Sequence, residues 1–547
     1  MNTFIYDAKT PIPKNTNHLI LPMLCRGKLK NLPKSLTHIT FNTNNDDLIG
    51  DLIDDLPNSI EHIHFSNYYD KPIDNLPHSI STIIFESFSF FNQPINNLPN
   101  SLIHLTLGNY FDQPIDNLPN SLTHLTIGYN NCYNTCRFNK PIDNLPNSLT
   151  HLTLRDNFNQ SIDNLPKSLT HLTLGDNFNQ LVNNLPNSLI HLTLGNNFNQ
   201  SIDNLPNSIT HLTLGNNFDQ PIDNLPNSLT HLTFGFHFNR PVNNLPNSIT
   251  HLTFGFHFNR PINNLPNSII HLTFGNCFNQ SIDNLPNSIT HLTIGYDFNR
   301  SINKLPNSIT HLHLEFQYDS SKNILPNSIT HLSFGFYFNQ PVNNLPNSIT
   351  HLTFKFNFNQ PVDNLPNSIT HLTFGNCFNQ PIDNLPNSIT HLKLENNFNQ
   401  SVDNLPNSLT HLTFGMNFNQ PINNLPNSII YLNFGINFKQ KIDNVVDFVK
   451  IFIFYDYTFY MKNIKKIKNK IIVYTKNCKR IYKNNNFVCE YDEKILKLQY
   501  HTQFKLKKQL FEYFLLKELT KYIYNPQRIE KIAKKYNIDF DEYLDFL

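Results

Sequence analysis

Residues 284–299 read NLPNSITHLTIGYDFN. Twenty residues earlier, 264–279 read NLPNSIIHLTFGNCFN, and a further twenty back, 244–259 read NLPNSITHLTFGFHFN. The phrase is a repeat, and its period decides the fold before any single residue is considered. Its Leu-Pro leucine falls at 32, 56, 76, 98, 118 and 145, and from Leu145 it recurs every 20 residues to Leu425. Weaker copies flank this run. Ile12-Pro13 leads to His18, where later units carry their histidine, and Val445 leads into VDFVKIFIF without the Pro or the His. The one large irregularity is GYNNCYNTCRF at 128–138.

Within a unit, LTHLTLRDNF at 149–158 places apolar residues at Leu149, Leu152, Leu154 and Phe158, followed by Ile162 and Leu165. The L-x-L step has the two-residue period of a strand. Proline at Pro166, and before the isoleucine at Pro221, Pro261 and Pro381, fixes φ and removes a donor, so the rest of the unit is extended or turned. A single unit cannot enclose its own apolar side chains, whereas stacked units share one core through parallel strands. The expected fold is a mainly β repeat solenoid of about 22 coils.

Composition sets limits. The chain is 39% hydrophobic and 15% charged, with no Trp. No apolar run of about 18 residues is present to span a membrane, and MNTFIYDAKTPIPKN lacks the basic start and apolar core of a secretory leader. The seven cysteines are odd in number and scattered, which fits reduced thiols in a cytoplasmic setting. Cys277 and Cys377 replace ordinary repeat residues, while the C-x3-C pair Cys132 and Cys136 is a candidate metal or redox pair without a second pair to complete it. The net charge of +1 conceals an asymmetry: residues 441–547 carry a charge of +9 and the preceding 440 carry −8. The negative array argues against nucleic acid as its partner.

The spacing L-x-x-L-x-L resembles the leucine-rich repeat, and the fuller phrase FNQPIDNLPNSITHLTFG closely resembles the FNIP repeat of social amoebae and of giant viruses of amoebae. That resemblance implies a leucine-rich-repeat-like parallel sheet with a long concave surface. It implies little about chemistry; the expected function is a non-catalytic, monomeric scaffold that binds a protein, a host protein in the host cytoplasm if the chain is viral. A virion-assembly component and a substrate-recruiting adaptor in ubiquitin transfer are the alternatives. Viral members often carry an F-box ahead of the repeats, and a first weak unit near Ile12 leaves no room for one. The expected layout is an N-terminal cap at 1–31 with a degenerate repeat, the array at 32–454, and a basic region at 455–547. That last region should hold strands at 470–474 and 487–491, then helices from Glu493 that cap the sheet.

A histidine column runs through the array, including His151, His171, His191, His211, His231, His251, His271 and His291. Collinear imidazoles do not surround one point as metal ligands must, and near-identical positions create no unique catalytic site. The column therefore reads as a structural ladder, without metal, cofactor or enzymatic activity. Adjacent imidazolium charges would repel, so it should resist protonation. The Asn columns after the core Phe (Asn159, Asn179, Asn199) and before Leu-Pro (Asn164, Asn184, Asn204) are expected to be buried amides satisfying backbone groups at the bends. The acceptor pattern NQS at Asn159, Asn199, Asn279 and Asn399 has no consequence without a secretory leader.

Specific function should lie where the repeat varies. After the strand, the ordinary Asp and Asn give way to Phe236 with His237, Phe256 with His257, Tyr296, Phe316, Phe336 with Tyr337, and Phe356. Arg240, Arg260 and Arg300 replace Gln nearby, and Lys355 replaces Gly. Exposed aromatics with Arg compose a partner-binding rim; alternatively the rings stack on one another and cover loop backbone.

Overall fold

A computed structural model describes residues 2–7, 10–22, 32–42, 53, 56–129, 136–319, 323–454, 471–474, 479–483 and 486–491. Each coil opens on one short strand, and 22 such strands occur from His18–Leu21 to Ile451–Phe454. In His151–Leu154 the side chains alternate between half-buried and buried. The strand's own Leu152 and Leu154 join Leu149, Phe158, Ile162 and Leu165 in the core, all at most 8% exposed. Burial on this scale is worth about 1.5–3 kcal/mol for each large apolar side chain.

Turns rather than helices close the coil. Pro166 sits at the first position of a turn whose carbonyl accepts the Leu169 N–H at 3.1 Å, and Ser168 Oγ donates to Leu149 O of the preceding coil at 2.6 Å. The Phe178 N–H closes a second turn on Gly175 O at 3.2 Å. This glycine column answers a steric demand. A Cβ on Gly255 would lie 1.7 Å from Gly235 O, and one on Gly215 would lie 2.0 Å from Gly195 O. Arg155 takes the glycine position in its coil, and the next residue, Asp156, has a φ of 34°.

The chain forms two compact units, residues 1–316 with 322–329, and residues 317–321 with 330–547. In the first, parallel strands keep equivalent residues opposite each other, as in His191↔His211 and Leu192↔Leu212. The insertion does not disturb this register, because His124 pairs with His151 and Ile127 with Leu154 across it. The degenerate first repeat also holds register, with His18 opposite His38. Ahead of it, Thr3–Ile5 adds a strand that the repeat pattern does not reveal.

In the second unit, parallel pairing runs from His331–Phe334 to Ile451–Phe454 and continues to Ile471–Tyr474. The sheet then changes polarity: Lys479–Lys483 pairs antiparallel with Ile471–Tyr474, and Asn486–Tyr491 pairs antiparallel with Lys479–Lys483. The strands expected at 470–474 and 487–491 are present, but the basic stretch between them is itself partly a strand, Lys479–Lys483. The helices expected from Glu493, and Cys132, lie outside the described residues.

Candidate interaction surface

On the face of the sheet opposite the core, the first unit stacks its histidines without a break from His104 to His311, and Thr82 interrupts the column ahead of that run. Ring centroids from His151 to His291 are 4.1–4.3 Å apart. The second unit holds its own stack from His331 to His411 at 4.1–4.2 Å. Strand spacing of about 4.8 Å sets this distance, and where a threonine precedes the histidine its hydroxyl also holds the ring. Thr170 Oγ1 lies 2.9 Å from His171 Nδ1 and 3.0 Å from Thr150 O. Its single proton serves both contacts only if the hydroxyl donates to the carbonyl and accepts from Nδ1–H. That arrangement places a lone pair on Nε2.

Burial, and then the charge of neighbouring imidazoles, holds His171, His211 and His251 down at about 4. In the second unit the same causes lower His371 to about 4 and His391 to about 3. The rings are therefore neutral at ordinary pH.

Beside the strand ends, the aromatic columns are both stacked and exposed. Phe236 and Phe256 stack at 4.6 Å and 12°, and His237 and His257 at 5.3 Å; Phe236 nevertheless remains 39% exposed. Tyr296 in the same unit is 42% exposed. In the second unit Phe336 stacks on Phe356 at 4.6 Å, with Phe336 43% and Tyr337 53% exposed. Lys355 is exposed beside them.

Phe316 departs from this set. It is buried and packs 5.3 Å from Phe298, in a coil where Tyr318 takes the place of the usual core Phe. The arginines also differ from free anchoring groups. The Nε atoms of Arg240, Arg260 and Arg300 donate to Asp219 O, Asn239 O and Asn279 O at 2.8–3.1 Å. They thus replace the Gln that elsewhere donates to the preceding coil, as Gln180 does to Asn159 O. Arg240 adds an ion pair to Asp219 at 3.0 Å.

Neither Asn column is buried as expected, since Asn159 and Asn179 are half-buried and Asn199 is exposed, and the two columns serve different purposes. Asn159 Oδ1 accepts the Asn179 N–H at 2.9 Å, and Asn179 Oδ1 accepts that of Asn199, which ties coil to coil through backbone donors. The column before Leu-Pro is exposed instead of buried and bonds side chains, as Asn184 Nδ2 does to Asp163 Oδ1 at 3.0 Å.

A second aromatic column escaped the sequence reading. Tyr68, Phe90 and Tyr110 each precede a core aromatic ring. Phe90 lies 6.0 Å from Tyr68 and 4.9 Å from Tyr110, and the Arg137 guanidinium sits 4.3 Å over Tyr110. Its signal was position: these residues occupy the variable column that later carries His237 and His257. Met416, 56% exposed, likewise shares the column of Phe236.

These coils define a leucine-rich-repeat-like scaffold, a fold commonly used for protein–protein interaction. The FNIP repeat pattern matches eleven segments between residues 52 and 435, including 198–237, 238–277 and 338–377. The chain belongs to the FNIP repeat family. It is similar to CroV588, a circular leucine-rich-repeat protein of a giant virus, at 42% identity and a TM-score of 0.62 over 85% of this chain and 86% of that one. YopM from Yersinia enterocolitica is 20% identical over 80% of this chain and 88% of its own, with a TM-score of 0.37. The mouse RP105/MD-1 complex contains a chain 13% identical over 85% of this one and 83% of its own, with a TM-score of 0.41. No curated protein matches the sequence.

Proposed function

We propose that the chain is a non-catalytic scaffold that captures a protein partner through its exposed aromatic columns. The observation that carries this reading is that Phe236 and Phe336 remain about two-fifths exposed although each already stacks on a neighbouring ring. Rings held in fixed rotamers by such stacking lose little entropy on binding, and exposed aromatics dominate many protein interfaces. The arginines, tied to carbonyl groups of the preceding coil, stiffen this surface and contribute less as anchors.

The likeness to a giant-virus protein supports a host protein as the partner and the host cytoplasm as the place of action. Affinity purification from infected cells tests the reading. Changing Phe236, Phe256, Phe336 and Phe356 together to Ser should abolish capture of the partner while the circular dichroism spectrum is unchanged. Capture that survives the four changes removes the aromatic surface from the function. Recovery of capsid proteins would point to assembly, and recovery of cullin-complex subunits to ubiquitin transfer.

A further inference from the structure

The segment HLTFGFHFNRP occurs twice, at 231–241 and 251–261, so Arg240 and Arg260 stand in the same local sequence on successive coils. Their neighbours on the preceding coil differ. Arg240 follows Asp219, and its Nη2 lies 3.0 Å from Asp219 Oδ2. Arg260 follows Asn239 instead, whose Oδ1 already accepts the Asn259 N–H at 3.0 Å. The Arg260 Nε donates to Asn239 O at 2.8 Å, and among the described residues no carboxylate forms an ion pair with its guanidinium. The surroundings extend the difference. Residues 224–282 contain no Asp or Glu, as the column of Asp203 and Asp223 continues through Asn243 and Asn263 before Asp283 restores it. Two further stretches without acidic residues are 320–362, which holds Phe336, Tyr337 and Phe356, and 404–442, which holds Met416. Tyr296, beside Asp297, stands outside this pattern. In an array whose first 440 residues carry −8, most of these exposed apolar groups therefore lie in gaps in the negative charge.

We propose that the surface carrying Phe236, Phe256 and Arg260 takes an acidic segment of a protein partner, with apolar side chains of that segment on the stacked rings and a carboxylate on the guanidinium. The inference rests on the partner-binding reading above and specifies the chemistry of the partner. Arg260 is exposed, and the bond from Nε uses one of its five donors. The Nη groups remain, and they form the end that a carboxylate meets with paired hydrogen bonds. Phe256 and Arg260 are four residues apart, a reach of at most about 14 Å, so one short segment spans both. At Arg240 the fork already has its carboxylate, and that residue adds little attraction. Over the rest of the array the Asp columns repel the same segment, which confines an acidic partner to the gap. Arg260 thus acts on the choice of partner and the rate of encounter, while the rings supply most of the affinity.

The test measures binding of the full-length chain to a fluorescent peptide built of Glu-Glu-Tyr triplets, with a Lys-Lys-Tyr peptide and oligothymidylate as comparisons. Basic residues beyond 441 attract any anion, so the readout is the change caused by each substitution. Arg260→Gln keeps a bond to the preceding coil, as Gln280 Nε2 donates to Asn259 O at 3.3 Å. Asn239→Asp keeps the backbone contact, as Asp219 Oδ1 accepts the Asn239 N–H at 3.0 Å. Each should weaken binding of the acidic peptide by about five-fold, the upper range for an exposed ion pair. Asp219→Asn, which gives Arg240 the surroundings of Arg260, should strengthen it by a similar factor. The Lys-Lys-Tyr peptide should lose no affinity in Arg260→Gln or Asn239→Asp. An acidic peptide bound equally by the four proteins, or by none, would overturn the proposal; partner capture that still depends on the four phenylalanines would leave the aromatic reading in place. Oligothymidylate weakened by the same two substitutions would also overturn it, since the surface would then select a phosphate backbone.

Discussion

The hydroxyl of Thr170 serves two partners, the carbonyl of Thr150 and the ring of His171. Thr170→Val keeps the shape and removes both contacts, and should cost about 1 kcal/mol, the usual net value of one such bond, measured as a shift in urea midpoint at constant slope. A larger loss is expected at Gly255, whose Cβ would meet Gly235 O. Gly255→Ala should destabilise by about 3 kcal/mol, the upper end for overpacking a close-packed site. An unchanged midpoint would show that the coils can separate freely at this point. The histidines drew attention in the sequence, whereas the glycines did not, because a missing side chain signals nothing until the neighbouring coil is in place.

The histidine stack is the element with a clear dependence on pH. Its rings are held well below the ordinary histidine value, so the unfolded chain binds more protons than the folded one between about 6.5 and 4. Stability from this source is complete above pH 6.5 and is lost as the pH falls toward 4. Thermal melts should give a lower midpoint at pH 5 than at pH 7.5, and changing His211 and His231 to Gln should narrow that difference. A midpoint independent of pH would show that the rings separate before they charge. The strands themselves were legible in the H-L-T-L spacing. Exposure in the variable columns was not, because it is decided between coils: Phe316 and Phe336 hold equivalent positions, yet one is buried and the other is not.

For the whole molecule, the constant period of 20 was the most legible property, and it makes coils exchangeable. Removing residues 178–197 joins Asn177 to Phe198 and leaves every pairing in register, so a cooperative melt should persist with a modestly lower midpoint, as expected for stability summed over neighbours. Removing 178–187 instead breaks the register and should abolish cooperative unfolding in circular dichroism. The division into two units near residues 316–330 was less visible. Its sequence trace is one irregular coil, where Tyr318 is fully buried in place of the usual Phe.

The antiparallel strands after Ile471–Tyr474 carry a consequence for association. Every regular coil accepts a neighbour of its own sequence, so a bare parallel edge is a template on which another copy could add head to tail and propagate into a filament. A reversed hairpin on that edge offers backbone groups in the wrong polarity for the next coil. Reversal of strand direction, with a bulge at Ile481/Tyr482, thus removes the parallel register that another copy's coil would need in order to continue the array.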